Sequence, residues 1–317
     1  MYDEQSEGVK NMERLIQTFQ LTKMFKQEEV IKSIDFTLEK GEICALIGKN
    51  GAGKSTFFKM LAGQLMPTSG DIHLFGKSGK EMTKAKKRMG FMIETPAFFP
   101  DFTATQNLEY FRIQRGVVEK ERIYEVLQIV GLANQKKKRF RDYSMGMKQR
   151  LGIALCLLSS PDCLVLDEPI NGLDAEGIRE IRNLLLKLNQ EKQITILVSS
   201  HILTELQLLA KRFVFIKNGM IVEDLSKRTL DEKSKKQIRL KVDNPTKAAQ
   251  LLESAYPDIR YKVLPDQVIS LQNHVEESAE INSLLVNNGV SVMEFRIEAL
   301  NLEEYFLGLV EGNDAND

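Results

Sequence analysis

The chain has 317 residues, enough for a large core with a second, smaller domain beside it. Lysine plus arginine and aspartate plus glutamate are equal at 44 each, so no global field draws the chain to nucleic acid or anionic lipid. With 43% hydrophobic and 28% charged residues the composition is that of a globular protein in water, and the longest apolar run, Leu151 to Leu158, is far short of the ~20 residues that span a bilayer. Direct membrane insertion is therefore not expected. The start, Met1-Tyr2-Asp3-Glu4, is acidic where a secretion signal needs basic residues. Cys44, Cys156 and Cys163 each lie in an apolar run without CxxC spacing, which predicts buried thiols and a reducing cytoplasm.

In chain order, residues 1–12 are polar and patternless and predict a flexible tail. Leu15 to Leu21 alternates in part, and Ile34-Asp35-Phe36-Thr37-Leu38 alternates cleanly, so both read as strands. Ile43 to Ile47, Cys163 to Leu166 and Ile194 to Val198 are short apolar runs, the pattern of parallel strands buried on both faces. Val214-Phe215-Ile216 begins a hairpin that turns at Lys217-Asn218-Gly219. Ile178, Ile181, Leu185 and Leu188 form an apolar stripe after Asp174, which is placed to cap that helix. Residues from about 79 to 158 are mostly helical by pattern and read as an inserted lobe in a doubly wound α/β domain. The basic run Lys136-Lys137-Lys138-Arg139 has no interleaved aromatics and reads as a solvated loop.

After about residue 230 the texture changes. Ile238 to Val242 is an alternating strand and Thr246 to Ala255 a helix. Strands Tyr261 to Leu264 and Val268 to Leu271 flank a Pro265-Asp266 turn. Ser278 to Asn287 is a helix, Val290 to Phe295 a strand and Leu302 to Leu309 a last helix. This order predicts a small α+β domain of split-βαβ type over residues 231–317, following a nucleotide domain over 13–230.

Gly48-Lys49-Asn50-Gly51-Ala52-Gly53-Lys54-Ser55-Thr56 follows the strand Ile43 to Ile47 directly and fits G-x-x-x-x-G-K-[ST]. The glycines let successive backbone N–H groups curl around phosphate oxygens, and a helix starting there points its positive end at them. Lys54 is placed for the β- and γ-phosphates and Ser55 for Mg²⁺. The buried strand Cys163 to Leu166 ends in Asp167-Glu168-Pro169. Asp167 is placed to hold the Mg²⁺ shell and Glu168 to polarise an attacking water.

Tyr143-Ser144-Met145-Gly146-Met147-Lys148-Gln149-Arg150 resembles the signature motif of ABC ATPases. Asn171-Gly172-Leu173-Asp174 is similar to their D-loop, and Ser199-Ser200-His201 to their switch histidine. The resemblance covers about residues 13–230. It implies a P-loop NTPase (ABC ATPase) fold that binds ATP and Mg²⁺ and hydrolyses ATP. It also implies a second ATP-binding subunit, identical or paralogous, closing head-to-tail. Ser144 and Gly146 of one subunit then face the γ-phosphate held by Lys54 of the other, and Asp174 contacts the opposite subunit. His201 holds the γ-phosphate and the water, and Phe25 resembles the aromatic on which adenine stacks. Asn50, Gly51, Gly53 and Thr56 complete the phosphate loop. Met145 and Met147 depart from the usual Gly and Gln of the signature.

Met89-Gly90-Phe91-Met92-Ile93-Glu94 corresponds to the strand that ends in the family's Q-loop glutamine, here Glu94. That substitution, the following Thr95-Pro96-Ala97-Phe98-Phe99-Pro100, the stretch Ser144-Met145-Gly146-Met147-Lys148-Gln149-Arg150 and the tail Leu302-Glu303-Glu304-Tyr305-Phe306-Leu307 resemble the bacitracin- and lantibiotic-type exporter group. The group implies an integral membrane permease as partner, no nucleic acid, and a place at the inner face of the cell membrane. Glu94 becomes a candidate Mg²⁺ and nucleotide contact. Two other classes compete. A soluble ABC-type ATPase acting on ribosomes or DNA resembles either two fused ATPase domains or one carrying long coiled coils, and neither pattern is present. A generic P-loop kinase would have no use for Ser144-Met145-Gly146 and His201 in this order.

Overall fold

The computed structural model describes residues 13–94, 97–135, 137–233, 236–299, 302, 305, 306 and 308. The tail expected over 1–12, Thr95 and Pro96 of the stretch after Glu94, Lys136 and most of the expected helix Leu302 to Leu309 lie outside the described residues. The chain divides into two units after Ser226, slightly before the boundary expected at residue 230.

The first unit holds β1 (Arg14–Phe25), β2 (Glu28–Glu39), β3 (Ile43–Ile47), α1 (Lys54–Ala62), β4 (Ser69–Leu74), α2 (Met82–Lys86) and β5 (Met89–Met92). Next come α3 (Ala104–Gln114), α4 (Glu121–Ile129) and α5 (Met145–Leu157), which with α2 make up the helical stretch expected from the pattern. The unit closes with β6 (Cys163–Leu166), α6 (Ala175–Lys192), β7 (Thr195–Ser199), α7 (Leu203–Leu209), β8 (Arg212–Lys217) and β9 (Met220–Ser226).

Six strands form one sheet in the order β5-β6-β7-β3-β8-β9. The first five run parallel, and β9 returns antiparallel through the hairpin at Asn218-Gly219. Every residue of β3, β6 and β7 is buried, which is why β3 and β6 are unbroken apolar runs and β7 is apolar between Thr195 and Ser199. A separate antiparallel sheet, β2-β1-β4, packs its Leu15, Ile16, Ile34, Phe36 and Ile72 onto the core around Phe57 and Phe58 of α1. The three cysteines are buried thiols. Burial pushes the Cys156 thiol up to about 12, so these sulfurs are protonated packing atoms.

The second unit begins with α8 (Lys227–Lys233) and continues as β10 (Lys236–Val242), α9 (Pro245–Ala255), β11 (Tyr261–Leu264), β12 (Val268–Leu271), α10 (Ser278–Asn287) and β13 (Val292–Ala299). The four strands form one antiparallel sheet, β11-β12-β10-β13. Ile238, Leu240, Ile269 and Leu271 pack on Ala248 and Leu252 of α9 and on Ile281 and Leu285 of α10. The β-α-β-β-α-β order is the expected one. The last strand starts and ends later than the expected Val290 to Phe295, because its far end pairs with the start of β10.

Candidate nucleotide site

The site is built where strands meet loops. β6, β7 and β3 are neighbours in the sheet, and their C-terminal ends deliver Asp167-Glu168, Ser199-Ser200-His201 and the loop Gly48–Gly53 to one edge. That edge is where open parallel sheets place ligands. In the loop, Gly53 has φ +108°, a conformation barred to L side chains, and passes the chain into α1. A Cβ at Gly48 would lie 2.5 Å from the Ile216 carbonyl oxygen on β8, so only glycine fits.

Lys54 opens α1 buried, its Nζ donating to the Gly48 carbonyl at 2.7 Å and to the Lys49 carbonyl at 3.3 Å. Burial lowers the pKa of this ammonium, opposed by the nearby charges of Glu168 and Asp167. The same charges show that the phosphate loop and the acidic strand end face each other. Ser55 is exposed at the helix start, Thr56 half-buried, and Asn50 and Gly51 exposed. The first-turn N–H groups of α1 are thus open to an anion.

One hydroxyl orders the acidic pair. Ser199 Oγ donates to Asp167 Oδ1 at 2.5 Å and accepts from the Glu168 N–H at 3.0 Å. Sequence reasoning quoted Ser199 only as a neighbour of His201. Its signal was a hydroxyl closing the apolar run Ile196-Leu197-Val198. Glu168 stands at φ +51°, a region costing a non-glycine residue about 1–3 kcal/mol. Its Oε2 accepts from the His201 backbone N–H at 3.2 Å and lies 2.8 Å from His201 Nδ1. The predicted base and the predicted switch histidine are therefore in direct contact.

Glu94 repeats this backbone geometry one strand over. Met92 of β5 is registered with Leu166 of β6, and the acidic residue two positions beyond each has positive φ, +66° at Glu94 and +51° at Glu168. The side chain of Glu94 is 70% exposed and pairs with Lys59 Nζ of α1 at 2.6 Å, a partner the sequence did not reveal. Such an exposed pair adds about 0–1 kcal/mol to stability. Its effect is to tie the loop after β5 to the helix that carries Lys54. Among the described residues no three His, Cys, Asp or Glu side chains cluster as a metal cage. Ser55 and the carboxylates of Asp167 and Glu94 instead suit Mg²⁺, which binds few protein oxygens and completes its shell with phosphate and water.

Ser144, Gly146 and Asp174 have no described bond to the phosphate loop. Ser144 caps α5, its Oγ accepting from Met147 N–H at 3.3 Å, and Asp174 caps α6, its Oδ1 accepting from Gly177 N–H at 2.8 Å. The two caps share one surface: a Cβ at Gly172 would lie 3.6 Å from Met145 Cε, and one at Gly146 would lie 3.9 Å from Leu173 Cδ2. Phe25 ends β1 44% exposed, with Lys23 Nζ 5.1 Å from its ring centroid.

Comparison with known proteins gives a consistent picture. A family model described as ABC transporter matches residues 31–171. The bacitracin transport ATP-binding protein BcrA of Bacillus licheniformis is 37% identical over 302 residues, covering 95% of this chain and 99% of that protein. Its counterpart in Enterococcus faecalis is 39% identical over 302 residues, covering 95% and 98%. The lantibiotic transport ATP-binding protein SrtF of Streptococcus pyogenes is 40% identical over 202 residues, 64% of this chain and 86% of that one. Among solved structures, CbiO1 of Clostridium perfringens, part of the ABC transporter complex cbiONQ, superposes with a TM-score of 0.63 at 25% identity, covering 77% of this chain and 96% of that one. The dimeric bacterial ABC transporter cassette MJ0796 gives 0.61 at 25% identity, covering 68% and 99%.

Proposed function

The chain belongs to the ABC transporter ATP-binding proteins and is an ATP hydrolase, and from that premise we propose that it powers a bacterial exporter of peptide antibiotics or similar amphipathic compounds through a separate permease. The observation that carries this reading is the extent of the likeness. The two bacitracin transport relatives match over 95% of the chain, through the second unit as well as the first. No helix among the described residues is long and apolar enough to cross a membrane, so a separate spanning subunit is part of the proposal. It places this chain at the inner face of the membrane.

In the hydrolytic step, backbone N–H groups of the loop Gly48–Gly53 and the ammonium of Lys54 bind the β- and γ-phosphates of ATP. Glu168 takes a proton from the attacking water, with its carboxylate aimed by the two contacts from His201. His201 turns its other ring nitrogen to the γ-phosphate. Phe25 offers its exposed ring to the adenine. Ser55 and Asp167, with Glu94, hold Mg²⁺, which when bound supplies positive charge to the β- and γ-phosphate oxygens. A second ATP-binding subunit presents its Ser144 and Gly146, at the N-terminus of α5, to the same γ-phosphate, and Asp174 lies across the junction.

The deciding experiment expresses the chain with its candidate permease and extracts the membranes in detergent. Co-purification with an integral membrane protein, and loss of cell survival under a peptide antibiotic when the chain is deleted, is the expected result. Co-sedimentation with ribosomes instead, with survival unchanged, would overturn the exporter reading.

A further inference from the structure

The second unit carries no phosphate motif, yet among the described residues its sheet ends on one side in a strand whose outer edge is unpaired. β13 is eight residues long and, among the described residues, hydrogen-bonds to β10 alone. The opposite edge is blunted: β11 has four residues, carries Lys262, and runs into Pro265. Proteins blunt an edge in this way, with shortness, lysine and proline, when it must not recruit another strand. β13 has none of these devices. Met293 and Ile297 stand exposed on one of its faces, while Glu294, Arg296 and Glu298 alternate on the other.

We propose that β13 pairs antiparallel with β13 of a second copy of this chain, joining two second units into one eight-stranded sheet through a contact that needs no nucleotide. The charge order of the strand argues for this occupant. An antiparallel pair centred on Phe295 sets Glu294 opposite Arg296 of the second copy, and Arg296 opposite its Glu294. Met293 then faces Ile297, and Ile297 faces Met293, on the other side. All four pairs are favourable, being two distinct contacts each made twice by the two-fold symmetry. Centring the pair one residue later, on Arg296, sets Glu294 against Glu298 twice and Arg296 against itself. Centring it on Glu294 sets that carboxylate against its own copy. Edge charges usually repel a second copy, but here their mixed order accepts it in a defined register. Arg296 and Glu294 already form an ion pair within the strand, so each head is held near the position the partner needs.

The contact uses no residue of the phosphate site and does not depend on what is exported. It is measured by sedimentation velocity on the full chain without nucleotide, across concentrations of roughly 1 to 100 μM. The wild type should dimerise. Arg296→Glu should raise the dissociation constant about tenfold or more, since two favourable pairs become two repulsive ones. The charge swap Glu294→Arg with Arg296→Glu should return it to near wild type. If Arg296→Glu fails to fold by circular dichroism, the register is read by mixing Met293→Cys and Ile297→Cys chains. The mixture should form a disulfide-linked heterodimer that neither chain forms alone, the native thiols being buried. A wild type that stays monomeric without nucleotide, a folded Arg296→Glu chain that dimerises as well as wild type, or a folded swap that does not recover would each overturn the proposal. So would a monomer that instead receives a permease strand on this edge. A chain that dimerises as described but hydrolyses no ATP would count against the exporter reading alone.

Discussion

The two units put polar chemistry in opposite places. In the first, the central strands β3, β6 and β7 are buried on both faces and the polar groups gather where the parallel strands end, at Glu94, Asp167, Glu168 and Ser199. In the second, one sheet face carries the core and the other carries charge along the strands themselves, as in the Arg239–Glu298 pair at 2.7 Å. A parallel sheet has no free face, so function is pushed to its rim. An antiparallel sheet with helices on one side keeps a face and an edge free for contacts. The first unit therefore gathers its polar groups at one rim, and the second keeps the edge on which the pairing proposed above rests.

The sharpest test of the first half of this contrast is Glu168→Gln. Removal of a general base lowers turnover about 10²- to 10⁴-fold, while ATP binding persists because the phosphate loop is untouched. ATPase rate and equilibrium nucleotide binding check both parts, and a rate within about threefold of wild type removes Glu168 from the base role. Ser199→Ala should follow, with turnover down about 10- to 100-fold. It leaves the Glu168 N–H without its acceptor and frees Asp167, an unmet donor costing about 1–3 kcal/mol. Chemical denaturation and ATPase assays together separate lost stability from lost positioning.

Glu94 gives a smaller effect. A full charge 5 Å from another unit charge interacts by about 3 kcal/mol at an effective dielectric near 20, and the exposure of Glu94 discounts this further. Glu94→Gln should shift the Mg²⁺ titration of ATPase activity severalfold while ATP affinity holds. Lys59→Met, which frees the carboxylate from its ion pair, should shift it in the opposite direction. Equal titrations for all three chains would reduce Glu94 to a loop charge.

In the second unit, pH supplies a mild test. His274 Nε2 lies 3.0 Å from Asp258 Oδ1, and Nδ1 lies 3.4 Å from Glu277 Oε1. The hydrogen bond with Asp258 raises the pKa of the imidazole above its ordinary 6.5, desolvation opposes the rise, and Glu277 adds to it. A raised value means stability that is fully present below pH 6.5 and lost as pH climbs through the folded-state value. Asp258, held below its ordinary range by the same contact, withdraws its share only in stronger acid. His274→Gln should therefore lower the unfolding midpoint at pH 6 and approach wild type at pH 8. The effect is small, because Asp258 is largely exposed and solvent screens the pair. Smallest of all is the effect of ending the chain at Ser226 on ATP affinity, which should stay within about threefold since the phosphate loop lies wholly upstream. Loss of binding in a folded, shortened chain would break the division between the units.

Much of this was legible in the sequence. Tyr261 to Leu264, Val268 to Leu271 and Ser278 to Asn287 are elements with the expected ends, because alternation and flanking turns mark them sharply. Ile43 to Ile47 stood out as an apolar run for the same kind of reason. β4 was missed: Ser69-Gly70-Asp71-Ile72-His73-Leu74 has only two strong apolar positions, and its place is set by pairing with β1. The phosphate loop and the acidic strand end were visible because their spacing is local. The Lys59–Glu94 pair and the bonds of Ser199 join segments far apart in the chain, and no local pattern encodes such contacts.

Ser199 has a consequence of its own. Its single hydroxyl is bonded both to the carboxylate of Asp167 and to the backbone of Glu168, and the same strand end leads two residues on to His201, which grips the side chain of Glu168. The residue proposed for the cation and the residue proposed for the water are thus geared to one shaft, the end of β7. A displacement of that strand turns both at once and leaves no setting in which only one is engaged. Substitutions that retune this site would have to arrive in pairs, across β6 and β7 together.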